Sequence, residues 1–354
     1  MSWDNVTGIK NIKIWTDFSD STQGHLFVND QHQLSLNIGL SFNLKSGATE
    51  GPTKDEVKSA LSLINNQDSG PLKYLALADS AGRFNAIYDP YYPQAVPTAD
   101  TDPVEDGIYD FQFTYIVTSP YSINAECYSE EVALKLEYSV TDSTGSTSQK
   151  IIETSRSGTG SSIKTYVSVA CYSAKLYGGP GANRTNLRCS NTEVETKGKS
   201  SNDNYDHTDS SFHIVSLYID DPYFKIFYLE NGQEPDPDRQ VEPFFINKSK
   251  DSVMWDYIYN SFFPNIKCGK MDYTVQAIVR DVNDQSDHIY FAHVDVQQQE
   301  NQVTFIEIST DVKSLDHFSG SDERIHLSVF DQFGNSAYVI AYHSSDLNFI
   351  KSVS

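Results

Sequence analysis

Four side chains with oxygen donors stand close together in the second half of the chain. They are Asp281, Asn283, Asp284 and Asp287. Hard oxygen ligands at this spacing could hold Ca²⁺ in a loop between two strands. The run does not fit an EF-hand, because Ser286 and Ala292 occupy the positions that require glycine and glutamate. The alternative interpretation is a solvated turn that uses Asx hydrogen bonds.

Tyrosine is abundant, with 22 Tyr and 19 Phe against 3 Trp. Tyr91 and Tyr92 lie between Pro90 and Pro93, a pattern typical of a loop. Tyrosine supplies contact area at low entropy cost and adds a hydroxyl group. We therefore predict Tyr91 and Tyr92 as protein-contact residues. The alternative is that the aromatic clusters fill a β-sheet core through cross-strand pairs.

No pattern for a catalytic nucleophile or a phosphate loop is found in the sequence. Gly158-Thr-Gly160-Ser and Gly179-Pro-Gly181 are not followed by Gly-Lys-Ser/Thr. The four cysteines are Cys127, Cys171, Cys189 and Cys268. Their spacing matches no zinc site, and we interpret them as buried thiols, with one or two disulfides as the alternative. The prediction is a protein that is not an enzyme and has no cofactor, apart from the Ca²⁺ alternative.

The charge balance narrows the choice of partners. Lys and Arg number 26 against 48 Asp and Glu, a net charge of −22. Such a chain is a poor binder of nucleic-acid phosphates, and charge does not draw it to an anionic membrane. We therefore expect the partner to be a second copy or another protein, with a glycan as a further alternative.

The N-terminal sequence carries no signal-peptide pattern, since it has neither a basic region nor an apolar one. The expectation is synthesis in the cytoplasm without a signal peptide. The protein would then remain cytoplasmic, or leave by a signal-independent route or by lysis.

Most apolar residues alternate with polar ones, which indicates half-buried β-strands. The alternation covers 33–44, 111–117, 132–140 and 163–171, and returns near 212–220, 223–229, 273–280, 288–296, 302–309, 324–330 and 336–343. Many short strands separated by turn residues favour an all-β protein made of antiparallel sandwiches.

Two segments have helical spacing instead. Thr53 and Glu56 form a capping-box pattern, and Val57, Ala60, Leu61 and Ile64 follow at intervals of three or four. We predict a helix over about 54–65. The apolar residues around 250–260 would also fit a short helix. Both would be insertions in β domains.

The chain divides into two β-rich blocks around a polar stretch. Residues 181–211 hold few large apolar side chains, whereas strand patterns dominate 1–180 and 212–354. The prediction is a first β-sandwich domain over 1–180, a polar linker over 181–211, and a second β-sandwich domain over 212–354.

Two segments resemble a known family. The polar turn Asn29-Asp30 before the long strand Gln33–Leu44 resembles the opening of bacterial immunoglobulin-like repeats of the invasin and adhesin type. The closing run from Leu327 through Asp331 to Gly334 is similar to the strand–Asp–turn–Gly pattern of those repeats. The resemblance implies tandem immunoglobulin-like sandwiches in a structural protein that binds partners or self-assembles.

A toxin or effector that acts on a host membrane or receptor is the alternative function, and a glycan-active sandwich protein is another. Ser139–Ser162 holds 13 Ser or Thr among 24 residues and resembles the insertion hairpins of aerolysin-type toxins. A membrane strand needs a stripe of alternating apolar residues, however. The large aliphatic residues here are Val140, Ile151 and Ile152, and the last two are adjacent. The pattern therefore favours a surface hairpin.

Overall fold

The computed structural model describes the backbone in the ranges 2–18, 20–90, 109–120, 128–177, 184–185, 187–196, 199–200, 210–230, 241–248, 253–260, 269–280, 287–298, 303–310, 324–342 and 350–353. Side chains are described in 3–18, 20–90, 109–120, 128–177, 187, 217–228, 230 and 328–339. The chain divides into two compact units. Unit 1 comprises Met1–Ala174 and Phe333–Asn335; unit 2 comprises Lys175–Gln332 and Ser336–Ser354.

Unit 1 begins with a 3-10 turn at Ser2–Asn5 and contains nine described strands and one described α-helix. In chain order they are β1 (Val6–Thr16), β2 (Gln23–Val28), β3 (Gln33–Leu44), α1 (Lys54–Ala60), β4 (Leu61–Asn65), β5 (Ala76–Ala78), β6 (Phe111–Thr118), β7 (Tyr128–Thr141), β8 (Thr147–Glu153) and β9 (Tyr166–Ser173).

These strands form two sheets around one core. Sheet A has the order β1-β3-β6-β5, with antiparallel neighbours. Sheet B has the order β2-β9-β7-β4; β2 runs parallel to β9 and the other pairs are antiparallel. Leu36, Ile38 and Leu40 of sheet A and Leu134 and Leu136 of sheet B belong to the same buried cluster. Burial of these side chains is the main stabilising term of unit 1.

The long alternating strand predicted over 33–44 is β3. Its even-numbered residues Leu36, Ile38 and Leu40 lie in the core, as a period of two requires. The odd-numbered Asn37 and Ser41 are also buried, on the opposite face of sheet A. Because buried polar groups need partners, Asn37 binds Asp17 and Thr114, at 2.6 and 2.9 Å.

The helix predicted over 54–65 is shorter in the structure. The capping box is confirmed: Thr53 Oγ1 accepts from the Glu56 amide, and Glu56 Oε2 accepts from the Thr53 amide. The helix ends at Ala60, however, and Leu61–Asn65 continues as β4. The physical reason is that β4 pairs with β7 and buries Leu61 and Leu63 on one face, which a helix could not do.

The strand position beside β7 in sheet B is shared by two strands. β8 and β9 pair with successive parts of β7, on the edge opposite β4. Residues 154–165 leave the sheet between them. The buried Thr154 closes this excursion, because its hydroxyl accepts from the Leu134 amide at 3.0 Å and donates to the Thr165 carbonyl at 2.9 Å.

Unit 2 is also built from strands. They are β10 (Leu176–Tyr177), β11 (Arg184–Thr185), β12 (Leu187–Thr196), β13 (Lys199–Ser200), β14 (Ser210–Ile219), β15 (Ile226–Glu230), β16 (Val241–Lys248), β17 (Val253–Asn260), β18 (Gly269–Arg280), β19 (Asp287–Gln298), β20 (Val303–Thr310), β21 (Arg324–Asp331), β22 (Ser336–Tyr342) and β23 (Ile350–Val353).

The described strands of unit 2 form three larger sheets and one short pair. The sheet orders are β12-β14-β20-β17-β16, β13-β19-β18 and β15-β21-β22-β23, and β10 pairs with β11 in parallel. The all-β class is therefore confirmed. The helix suggested around 250–260 was wrong, because β17 occupies this region and pairs with β16 and β20. Residues 187–196, inside the stretch expected to be a linker, form β12 and pair with β14. The division into sandwich domains over 1–180 and 212–354 stays a prediction.

Candidate functional site

The residues predicted as binding sites fall almost entirely outside the described part of the chain. Tyr91 and Tyr92 lie outside it, and so do Asp281, Asn283 and Asp284. Asp287 is the first residue of β19, but its side chain is outside the described set. The Ca²⁺ site and the tyrosine contact therefore stay predictions.

The richest arrangement of described side chains lies on the face of sheet B that points away from the core of unit 1, which we call the outer face. We call it the ring cluster; its members are Phe27, His32, Tyr88, Tyr172 and Phe333. The Phe27 ring is its centre, 4.6 Å from the Tyr88 ring, 5.6 Å from the His32 and Phe333 rings, and 6.2 Å from the Tyr172 ring. Phe27 and Phe333 are buried. Large rings packed together this closely contribute both buried area and edge-to-face attraction.

Asn29 binds this cluster together through hydrogen bonds. Its Nδ2 donates to the Phe333 carbonyl at 2.9 Å and to Asn335 Oδ1 at 3.0 Å. Its Oδ1 accepts from the amides of Gln31 and His32, at 3.1 and 2.8 Å. Both donors and both main lone pairs of the amide are thus used, which is the full capacity of an asparagine side chain.

Backbone shape at the Phe333–Asn335 turn requires glycine. Gly334 has a φ of +76°, in the left-handed region that L side chains rarely adopt. A Cβ at this position would lie 2.5 Å from the Cβ of Gln31 and 3.1 Å from the Phe84 ring. The turn therefore approaches the 29–32 turn as closely as a glycine allows.

His32 is buried with both ring nitrogens in hydrogen bonds to the backbone. Nδ1 lies 3.0 Å from the Phe27 amide and Nε2 lies 2.9 Å from the Ala86 carbonyl. An amide N–H can only donate, so Nδ1 must be the acceptor and Nε2 must carry the proton. Burial lowers the pKa of His32 to about 4, because desolvation penalises the charged ring and the hydrogen bond to Ala86 offsets it only in part.

His25 lies on β2, two residues before Phe27, and therefore on the same face of sheet B. Its Nδ1 is 3.1 Å from the Tyr172 hydroxyl, and its ring packs edge-on against Phe18 at 4.7 Å. Burial lowers the pKa of His25, while the negative charge of Asp89 acts in the opposite direction. The two histidines are therefore neutral near pH 7 and act as packed, hydrogen-bonded groups.

A second cluster lies at the end of the core, and we call it the carboxylate clamp. Glu130 on β7 is 2% exposed. Its Oε1 accepts from Asn65 Nδ2 at 2.9 Å and from the Lys73 amide at 2.8 Å, and its Oε2 accepts from the Tyr74 amide at 2.8 Å. Three donors thus satisfy both oxygens of this buried carboxyl group. The clamp fixes the 65–74 loop against the strand.

The neighbouring Glu131 faces the other way and is less buried. It accepts from Asn66 Nδ2 at 2.7 Å and forms a salt bridge of 2.6 Å with Arg156. Arg156 also lies over the Tyr166 ring, 5.1 Å from its centre. These contacts tie the 154–165 excursion to the 65–74 loop.

Unit 2 contains one buried pair of ionisable groups among its described side chains. The Tyr177 hydroxyl donates to Asp331 Oδ2 at 2.5 Å, and both residues are buried. Burial, followed by the negative charge of Asp331, raises the pKa of Tyr177 far above its usual value. Nearby, Lys175 binds Asp221 at 3.1 Å and lies 3.2 Å above the centre of the Phe224 ring.

One edge of sheet A exposes apolar side chains. β5 is the terminal strand of the sheet, and Leu77 at its centre is 54% exposed. Tyr74, just before β5, is 38% exposed, and its ring packs at a tilt against the Tyr128 ring, with centres 4.3 Å apart. Natural proteins rarely leave a large apolar residue on a sheet edge, because such an edge pairs with other chains.

Chemically, these clusters hold polypeptide segments together. Among the side chains the structure describes, no group of three or more His, Cys, Asp or Glu could hold a metal ion. No described helix has the length and apolar character needed to cross a bilayer. Cys171 is buried in the core of unit 1, as expected for a packed thiol.

The ring cluster could not be recognised from the sequence, although its parts were visible. Asn29-Asp30 and Gly334-Asn335 both have the composition of turns, but Asn29 and Phe333 are 304 residues apart. Composition identifies a turn and does not identify what packs on it. Neither a protein-family model nor a curated protein sequence matches this chain.

Proposed function

We propose that this chain is a non-catalytic structural or binding protein built on immunoglobulin-like sandwiches, and that it associates with a second copy or another protein through exposed aromatic and apolar side chains. The observation that carries the proposal is the strand order of unit 1.

In immunoglobulin-like domains, strands A, B, E and D form one sheet, and C, F and G form the other. The order β1-β3-β6-β5 in sheet A corresponds to A-B-E-D. In sheet B, β4 and β7 correspond to C and F, and the interrupted pair β8 and β9 corresponds to G. β2 would continue the first strand on the second sheet, parallel to G. This correspondence supports an immunoglobulin-like topology for unit 1.

A tyrosine at the start of β7 adds support. Immunoglobulin-like domains often have a tyrosine near the start of strand F, with its hydroxyl bound a few residues upstream. Here the Tyr128 hydroxyl lies 2.7 Å from Ser119 Oγ, just after β6. Two residues later, where antibody domains have a cysteine, stands Glu130. In the proposed fold the carboxylate clamp would take over the stapling role of that disulfide.

The sheet edge at β5 is the described surface best suited to binding. Leu77 and Tyr74 are exposed there, and Leu77 lies on a strand that is paired with β6. An added strand or a packed side chain from a partner would cover the apolar surface and satisfy the edge. The predicted contact at Tyr91 and Tyr92 follows in sequence and is tested in the same experiment.

Sedimentation analysis over a range of concentrations and salt tests the proposal. We expect association that high salt strengthens or leaves unchanged, because salt screens the repulsion between chains of charge −22. Leu77→Asp should weaken it at least tenfold. Ile151→Asp is the matched control, since Ile151 is 40% exposed on β8, which pairs with β7 of sheet B and not with sheet A. Tyr91→Ala with Tyr92→Ala tests the tyrosine contact separately.

Some outcomes would contradict the proposal. A protein that stays monomeric at all concentrations and salt levels would exclude self-association. Equal effects of Leu77→Asp and Ile151→Asp would exclude the β5 edge. Turnover on a panel of glycans would show that the protein is an enzyme.

The toxin alternative has less support from the described residues. The β7–β8 hairpin is exposed, as a membrane-inserting segment would be, but Ile152 is buried in the core of unit 1. Ile151 is then the one large aliphatic side chain exposed on β8. Dye release from liposomes would nevertheless revive this alternative.

A further inference from the structure

The hydrogen bonds of His32 connect three segments of unit 1. Its Nδ1 holds β2 through the Phe27 amide, and its Nε2 holds the segment before Pro90 through the Ala86 carbonyl. Its backbone amide binds Asn29, whose side chain holds the Phe333–Asn335 turn. The His32 ring also packs edge-on against Phe333, with centres 5.2 Å apart.

This arrangement works only with a neutral ring. A second proton on Nδ1 would point at the Phe27 N–H, so that two donors would face each other and the hydrogen bond would be lost. The new charge would also be buried, because His32 is 1% exposed. Both ring partners are neutral backbone groups, and a buried charge without a counter-charge is costly.

Among the described residues, the titratable side chains on the elements around His32 include His25 on β2, Tyr172 on β9, Asp30 on its own turn, Arg83, Tyr88 and Asp89 on the following segment, and Asp331 at the end of β21, just before the Phe333–Asn335 turn. Burial lowers the pKa of His25, and the negative charge of Asp89 offsets part of that lowering. His32 gains no such help, since its single stabilising contribution is the hydrogen bond to Ala86.

We propose that His32 is an acid-sensitive latch: when its ring takes up a second proton, the Ala86 segment and the Phe333–Asn335 turn leave the outer face of sheet B together. The core of unit 1, on the opposite face, stays folded. Acidification thus exposes the aromatic surface of Phe27 without unfolding the sheets. The latch is independent of the proposed binding function.

The direction of the pH effect follows from linkage. His32 has a lower pKa when latched, about 4, than the 6.5 of an open chain, so the open state binds the proton. The latched state is fully favoured above pH 6.5 and is lost progressively as the pH falls towards 4. Between pH 8 and pH 5 the opening equilibrium should rise about 30-fold.

Hydrogen exchange with mass spectrometry on the full chain tests the latch, after correction for intrinsic exchange rates. Peptides that contain Ala86 and Phe333 should exchange about 30-fold faster at pH 5 than at pH 8. A peptide over Leu134–Leu136 of β7 should not change. His32→Asn keeps an acceptor for the Phe27 amide and cannot titrate, so its response should fall below about threefold. His25→Asn is the matched control and should keep the wild-type response.

Several results would overturn the latch. One is a pH response of hydrogen exchange that disappears in His25→Asn and persists in His32→Asn. Another is a β7 peptide whose exchange accelerates by the same factor as that of the Ala86 and Phe333 peptides. A third is opening of the Ala86 and Phe333 segments at different pH values. If His32→Asn does not fold, the wild-type profile decides. An opening that does not begin between pH 6.5 and pH 4 would then exclude His32.

Discussion

The ring cluster and the carboxylate clamp both fasten a loop to sheet B, and they use opposite chemistry. The ring cluster holds the Phe333–Asn335 turn with packed rings and neutral hydrogen bonds, centred on Phe27 and Asn29. The clamp holds the 65–74 loop with one buried carboxyl group, that of Glu130, and three donors. The first spreads its stabilisation over many contacts, whereas the second concentrates it in a single side chain. Their responses to mutation should therefore differ.

The largest effect is expected from Glu130→Ala. The substitution leaves the Lys73 and Tyr74 amides and the Asn65 side chain without their acceptor, and each buried unsatisfied donor costs about 1–3 kcal/mol. We expect the free energy of unfolding of unit 1 to fall by about 4 kcal/mol, measured by urea unfolding with tryptophan fluorescence. Glu131→Ala, which removes a more exposed carboxylate, should cost about 1 kcal/mol or less. Equal losses of unfolding free energy in the two variants would mean that the stabilisation by the clamp is not concentrated in Glu130.

Gly334→Ala should have the next largest effect. The added methyl group needs a left-handed backbone and collides with Gln31, so we expect a loss of about 3 kcal/mol. Gly145→Ala is the control, because Gly145 has a φ of +84° but nothing within 4 Å of the added Cβ. Gly145→Ala should lower the free energy of unfolding by about 1 kcal/mol. Urea unfolding measures both variants, and a similar loss in the two would show that the turn does not pack as described.

Asn29→Asp separates the two halves of the asparagine contact. The carboxylate can still accept from the Gln31 and His32 amides, but it faces the Phe333 carbonyl with no donor. We expect a loss of about 2 kcal/mol and faster hydrogen exchange in the Phe333 peptide. Exchange in the 29–32 turn should stay close to wild type. Acceleration confined to the 29–32 turn would contradict the role assigned to Asn29.

The smallest effect is expected at the contact between Tyr128, the first residue of β7, and Ser119. Tyr128→Phe removes the hydroxyl that contacts Ser119 and keeps the ring on Tyr74, so the loss should be about 1 kcal/mol. Ser119→Ala should cost a similar amount, and the double variant should cost less than the sum. Additive losses in urea unfolding would show that the two hydroxyl groups do not interact.

Sequence patterns located eleven of the 23 described strands. The alternation in 33–44 and 132–140 corresponds to β3 and β7, because one face of each strand lies in a core and a period of two follows. Helical spacing was less reliable. Leu61 and Ile64 fit a helix by spacing, and yet β-pairing with β7 decided their conformation. Pairing is a long-range interaction that local spacing does not contain.

The sites were harder to predict than the strands. Tyr88 lies three residues before Tyr91, which is predicted as a contact residue, but the Tyr88 ring itself packs against Phe27 and Phe333. No sequence motif marks Glu130. Its role depends on the fold, which brings the backbone amides of Lys73 and Tyr74 within hydrogen-bond distance of its carboxyl group. Composition indicates which side chains are able to bind a partner. It does not indicate which of them are already used in contacts within the folded chain.

By itself, the sequence determined the all-β class, the positions of the strands with clear alternation and the capping box at Thr53, since each depends on residues close in the chain. Tertiary structure decided the order of the strands, the end of the helix at Ala60 and the meeting of Asn29 with Phe333. The physical reason is that these features depend on which distant surfaces are buried together. Burial is a property of the folded chain, and the same Asn-Asp and Gly-Asn turns would look alike in sequence whether or not they met.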